Sequence, residues 1–215
     1  MFLSRLTVNT QSRTFRRDYA NVHDMHRTLM SAYPELPQGE GVRQAHGVLW
    51  RLDSFRGGFV QYVQSHTEPD WNTLAGGHLV KPAETRSLQP VLDAVTAGRC
   101  LTFRMVANPT RCDGQTRKHI PYRQPDDQLD WLVRKGERHG FVIPGAAGGR
   151  PDVAVTVVPT ITGRKNAKTK ITVEAVRFDG RLVVTDVGAF TAALVNGVGR
   201  AKAYGCGLIS VAPAR

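Results

Sequence analysis

The order in which β-type runs and helical periodicity follow one another constrains this chain more tightly than any other feature. Phe2, Leu3, Leu6 and Val8 give a short strand pattern, and Val22, Met25, Leu29 and Met30 then recur at helical spacing between Asp18 and Ala32 until the Tyr33-Pro34 step ends the run. Two β-rich stretches follow, His46 to Asp53 and Phe59 to Ser65, separated by the turn-like SFRGG. A short helix near Trp71 to Ala75 and a strand from His78 to Thr85 complete strand–helix–strand–strand–helix–strand, the βαββαβ ferredoxin-like arrangement.

The same order recurs further on. Cys100 to Ala107 reads as a strand, Asp126 to His139 as a helix with Leu129, Trp131, Leu132 and Val133 as core candidates, and Phe141 to Ile143 as a strand. Pro144 to Pro151 contains GAAGGRP, which has little to pack and reads as a mobile link. Val153 to Thr162 and Lys170 to Phe178 flank GRKNAKT as a hairpin with a basic tip. Asp186 can cap a helix through Asn196, and Leu208 to Val211 offers a last strand. The expectation is an α+β protein with tandem ferredoxin-like (RRM-like) βαββαβ domains, residues 1–88 and 89–215.

Charge narrows the partner. Twenty-nine Lys and Arg against 18 Asp and Glu give +11, with a pI near 10.1, which points to a polyanion such as nucleic acid. No apolar run is long enough to span a bilayer and the start has no secretory pattern, so the expectation is a cytoplasmic protein with no membrane partner. Cys100, Cys112 and Cys206 are too few and too scattered for a disulfide framework or a spaced zinc site and read as packing residues. Neither a metal site nor a cofactor is expected.

Four cations, Arg164, Lys165, Lys168 and Lys170, fall within seven residues without an acid among them, and Arg111, Arg117, Lys118 and Arg123 form a second cluster. Such tips line phosphate backbones, although a charged tip also keeps a strand edge soluble. The segment from Gly197 through Gly199, Arg200, Lys202 and Gly205 to Gly207 can turn backbone N–H groups toward phosphates, or serve only as a tight turn. It lacks the GxxxxGK[ST] order of a nucleotide P-loop. Phe59 and Tyr62 resemble part of the base-stacking motif of an RNA-recognition domain, one residue short of the pattern, and packing is the competing reading.

His23 and His26 lie three apart on the first predicted helix, off its apolar stripe together with Arg27. Cutting RNA without a metal needs a base for the 2′-hydroxyl, an acid for the departing 5′-oxygen and cations for charge at phosphorus. Imidazole, with an ordinary pKa of about 6.5, serves either proton-transfer role. Two such histidines could equally hold a metal, for which no third ligand is evident, or be plain surface residues.

These segments together resemble the CasE family, the repeat-RNA endoribonucleases of type I-E CRISPR systems. The likeness runs through the opening MFLSRL, His26-Arg27-Thr28-Leu29-Met30-Ser31-Ala32-Tyr33-Pro34, Val106-Ala107-Asn108-Pro109, Trp131-Leu132-Val133-Arg134-Lys135, and the GhGxxxxxGhG pattern of Gly197 to Gly207. The resemblance implies two ferredoxin-like domains and recognition of a CRISPR repeat hairpin RNA. It also implies cleavage at the 3′ base of the stem, leaving 2′,3′-cyclic phosphate and 5′-hydroxyl ends, and association with other Cascade subunits, the isolated chain being a monomer. It places the family's catalytic histidine at His26. Family members often carry tyrosine three residues earlier, where this chain has His23, which leaves the second proton-transfer group open. The alternatives are a non-cleaving RNA-binding scaffold and, more remotely, a nucleotide-using enzyme.

Overall fold

The computed structural model describes residues 1–35, 42–146 and 148–214. The chain opens with β1 (Phe2–Val8), α1 (Arg13–Ala20), α2 (Val22–Met30), α3 (Val42–Ala45), β2 (Leu49–Phe55) and β3 (Gly58–Ser65). A three-residue 3₁₀ turn at Trp71–Thr73, β4 (Glu84–Ser87) and α4 (Gln89–Asp93) follow. Strand order β2-β3-β1-β4, antiparallel at every described pairing, is the ferredoxin-like sheet. The second helix of the motif is reduced to the 3₁₀ turn, where Trp71 donates from Nε1 to the buried Ser4 hydroxyl at 2.9 Å.

Where one helix was expected from Asp18 to Ala32, there are two. Asn21 takes an extended conformation (φ −139°, ψ 100°) and caps α2 through its side chain, while its own N–H closes α1 on the Arg17 carbonyl. Ser12 caps α1. A capping asparagine satisfies N–H groups that a continuous helix would have bonded internally, so the break costs little. Burial of Val22, Met25 and Leu29 then fixes which face of α2 turns inward.

The second set of elements is β5 (Cys100–Ala107), β6 (Thr110–Cys112), β7 (His119–Pro121), α5 (Pro125–Arg138), β8 (Phe141–Val142) and β9 (Val153–Val157). Then come β10 (Ile161–Arg164), β11 (Lys170–Val173), β12 (Val176–Val184), α6 (Val187–Asn196) and β13 (Ile209–Pro213). Strand order β13-β5-β12-β8, with β9 also on β12, repeats the ferredoxin-like sheet. Its core joins Trp131 and Leu132 of α5 and Phe190, Ala193 and Leu194 of α6 to Phe103, Met105 and Phe178 of the sheet, and each such large side chain contributes roughly 1.5–3 kcal/mol by leaving water. Asp186 caps α6, as expected, by accepting from Ala189 N–H at 2.9 Å.

The packing divides the chain differently from a cut at residue 88. One compact unit holds Met1–Val91, Ile161–Val173 and Ala203–Gly205, and the other holds Leu92–Thr160, Glu174–Lys202 and Cys206–Arg215. The β10–β11 hairpin, expected within residues 89–215, therefore belongs to the first unit, where it packs on α2. The segment from Pro144 to Pro151, expected to be a mobile link, is closed at its ends by a Gly145–Pro151 bridge and an Ala146 N–H bond to the Arg150 carbonyl at 2.7 Å; residue 147 lies outside the described residues. Of the three cysteines only Cys206 is a packing residue, its thiol pushed up to about 12 by burial, whereas Cys100 and Cys112 are exposed.

Candidate active site

The two histidines of α2 owe their placement to the cap. Asn21 Oδ1 accepts from His23 N–H at 3.3 Å, and the helix it starts carries Asp24 in its first turn, where a carboxylate suits the positive end of the dipole. His23 and His26 stand beside the Val22, Met25 and Leu29 stripe, each half-buried. Both bury Nδ1 with no hydrogen-bond partner among the described residues, which leaves Nε2 as the nitrogen a substrate can reach.

This geometry alters the expected chemistry of His26. Protonation would place a charged, unpaired N–H at a buried nitrogen, so burial lowers its pKa from 6.5 to about 4, helped by the charges of Arg43 and then His23. The neutral imidazole is thus ready to accept a proton at pH 7. Arg43 is the group that sequence reading missed. It lies in the one-turn helix α3, is itself held below its usual pKa by burial, and donates to the Val48 carbonyl at 3.4 Å. No periodicity links it to α2; only the fold brings its charge near His26. Tyr33 does not supply the tyrosine absent at position 23, because it is buried against His46 with its phenol pushed up to about 12.

The basic hairpin sits on the same helix. Asn21 Oδ1 accepts from Arg164 N–H at 2.9 Å as well as from His23 N–H, and Asn21 Nδ2 donates to the Arg164 carbonyl at 3.4 Å. Gly163 is required there, since a Cβ would come within 2.4 Å of that same amide oxygen. At the tip, Asn166 Oδ1 accepts from Lys168 N–H at 3.0 Å and Thr169 N–H at 2.8 Å, which rigidifies the turn. Arg164, Lys165, Lys168 and Lys170 are all exposed and pair with no carboxylate among the described residues. Arg27 is exposed on α2 in the same unit.

The remaining candidates lie mostly in the second unit. Arg111, Arg117 and Lys118 form the exposed β6–β7 hairpin, whose turn is built by Asp113 accepting from Thr116 at 2.7 Å. Arg123 is committed to Glu174 through two bonds of 3.0 and 2.9 Å.

The glycine-rich segment does less than expected as a source of N–H groups. Gly197 donates to the Ala193 carbonyl at 2.8 Å and Gly207 to the Val106 carbonyl at 2.7 Å, so neither N–H is available to a phosphate. Gly205 instead admits the Trp50 ring, 3.1 Å from where a Cβ would stand, and Gly199 admits Trp131. Arg200 is exposed, while Lys202 is tied to the Asn196 carbonyl at 2.8 Å. Phe59 packs against Phe15 and Tyr19 at 5.7 and 5.2 Å, and Tyr62 lies under Arg51, which fits the packing reading of that pair. Among the described residues no group of three or more His, Cys, Asp or Glu could hold a metal, and no helix is long and apolar enough to cross a membrane.

A family model described as CRISPR associated protein matches residues 1–213, and the chain is 36% identical to the CRISPR-associated endoribonuclease Cse3 of Thermus thermophilus over 99% of this chain and 100% of that one. The chain belongs to the CasE family. It is also 29% identical to the CRISPR system Cascade subunit CasE of Escherichia coli, over 79% of this chain and 91% of that one. Among solved structures, Thermus thermophilus Cse3 bound to an RNA representing a pre-cleavage complex superposes with a TM-score of 0.82 at 35% identity, covering 99% of this chain and 98% of the other. The CasE-family likeness thus extends over both ferredoxin-like units.

Proposed function

We propose that this CasE-family chain is a metal-independent endoribonuclease that binds a CRISPR repeat stem-loop and cuts precursor CRISPR RNA at the 3′ base of the stem. The observation that carries this reading is Asn21, whose one amide starts the helix bearing His23 and His26 and holds the backbone of the basic hairpin at Arg164. Phosphate-gripping cations and proton-transfer groups are thereby built on a single support.

Neutral His26 accepts the proton of a ribose 2′-hydroxyl, whose oxygen attacks the adjacent phosphorus. The bond to the next nucleotide's 5′-oxygen breaks, and a proton delivered to that oxygen completes the exchange, leaving a 2′,3′-cyclic phosphate and a 5′-hydroxyl. His23, one helical turn away, is the candidate for that delivery. The Arg43 guanidinium and the hairpin cations oppose the negative charge that builds at phosphorus. The processed RNA then stays with other Cascade subunits in the cytoplasm.

Cleavage of the cognate hairpin in excess EDTA tests the mechanism. The expected result is unimpaired cutting that stops when the 2′-hydroxyl at the cut site is replaced by hydrogen, with binding retained. A strict requirement for added divalent metal, or continued cutting of the 2′-deoxy substrate, would replace this mechanism with attack by an activated water.

A further inference from the structure

The second unit contains an open depression of about 460 Å³ at the foot of the β6–β7 hairpin, next to the start of α5. That volume suits a small organic molecule. Its lining combines an apolar and aromatic wall, Pro121 and Tyr122, with a cation, Arg111, and a carboxylate, Asp127. Arg111 and Asp127 are exposed and make no ion pair among the described residues, whereas the neighbouring Arg123 is occupied by Glu174. The first turn of α5 already carries Asp126 and Asp127, so the helix start repels a phosphate and Arg111 is left to take it.

We infer that this depression receives one unpaired guanine nucleotide of the bound RNA. The inference rests on the RNA-cleaving reading given above. Guanine alone among the four bases presents two adjacent donors, N1–H and N2–H, on its pairing edge, and a carboxylate accepts both at once. Adenine and cytosine each set an acceptor beside their donor and would confront Asp127 with a lone pair, while uracil offers a single N–H between two carbonyls. Tyr122 and Pro121 provide the face against which an unstacked base lies, and Arg111 meets its phosphate.

Titration of the full chain, without RNA, with 5′-GMP, 5′-AMP, 5′-CMP and 5′-UMP tests this, read from the backbone amide resonances of Gln124 and Asp127. GMP should shift them and saturate. The other three should bind about tenfold or more weakly, the usual discrimination of a paired hydrogen-bond contact. Asp127→Asn, which keeps the shape but places a donor against donors, should abolish the preference. Arg111→Gln should bring GMP affinity down to that of guanosine. Equal binding of all four nucleotides, no binding, or a preference that survives in Asp127→Asn overturns the inference. Hairpin cleavage is measured separately without mononucleotides, so a chain that binds GMP selectively but does not cut RNA refutes the cleavage reading and leaves a guanine site without its proposed RNA occupant.

Discussion

Acidification separates the folded protein from its unfolded chain at His26. An unhindered imidazole titrates near 6.5, whereas His26 is held at about 4 by burial, Arg43 and His23. Each pKa unit is about 1.36 kcal/mol, so the gap amounts to roughly 3 kcal/mol. Between pH 6.5 and 4 the unfolded chain binds a proton at this position that the fold refuses, so stability is complete above that window and is lost as pH falls through it. Two further histidines, the buried His78 and the half-buried His139, are lowered too, and a comparison with His26→Ala isolates the share of His26. Urea unfolding at pH 7 and pH 4 should show the wild type losing about 3 kcal/mol more than His26→Ala. Ring-proton NMR of the wild type should place the His26 titration near pH 4, and Arg43→Gln should move it toward 6.5. Because the free enzyme's His26 stays neutral until then, kcat/KM should hold its value as pH drops until pH 4 is approached. A titration at 6.5 or above, or equal acid losses in the two proteins, would refute the reasoning.

Replacing Arg164, Lys165, Lys168 and Lys170 together by Ala should weaken hairpin binding and flatten the slope of log K against log salt by roughly 3 if each meets one phosphate; filter binding across a salt series measures it. His26→Ala should slow single-turnover cleavage about a hundredfold or more with RNA affinity nearly unchanged, and His23→Tyr should keep cleavage. Gly207→Ala should destabilise the fold by about 2 kcal/mol or more, because φ is +90° and the new Cβ would lie 2.8 Å from the Val198 carbonyl; Gly114→Ala, with open space around it, is the thermal-melting control.

Both ferredoxin-like units were legible in the sequence because their apolar periods survive in single segments: Val22, Met25 and Leu29 on α2, or Cys100 to Ala107 on β5. His23, His26 and the basic tip were legible for the same reason, being local clusters. The boundary at Asn21 was written in a capping residue rather than in hydropathy, and the β6–β7 hairpin in its Asp113-Gly114 turn, signals that a search for apolar runs passes over. Arg43 had no local signal, since its importance comes from a charge felt across the fold. Nor did the duty of Gly205, set by Trp50, a residue far away in the chain.

The hairpin that leans on α2 is made late. A ribosome adds about 5–20 residues per second, so on the order of ten seconds pass between the appearance of His26 and that of Arg164, and only then does Asn21 gain its bonds to the Arg164 backbone. A nascent chain halted anywhere before β10 therefore carries both imidazoles without the hairpin cations proposed to grip the RNA beside them. Under the proposed mechanism, the site is therefore assembled only once β10 and β11 have been made.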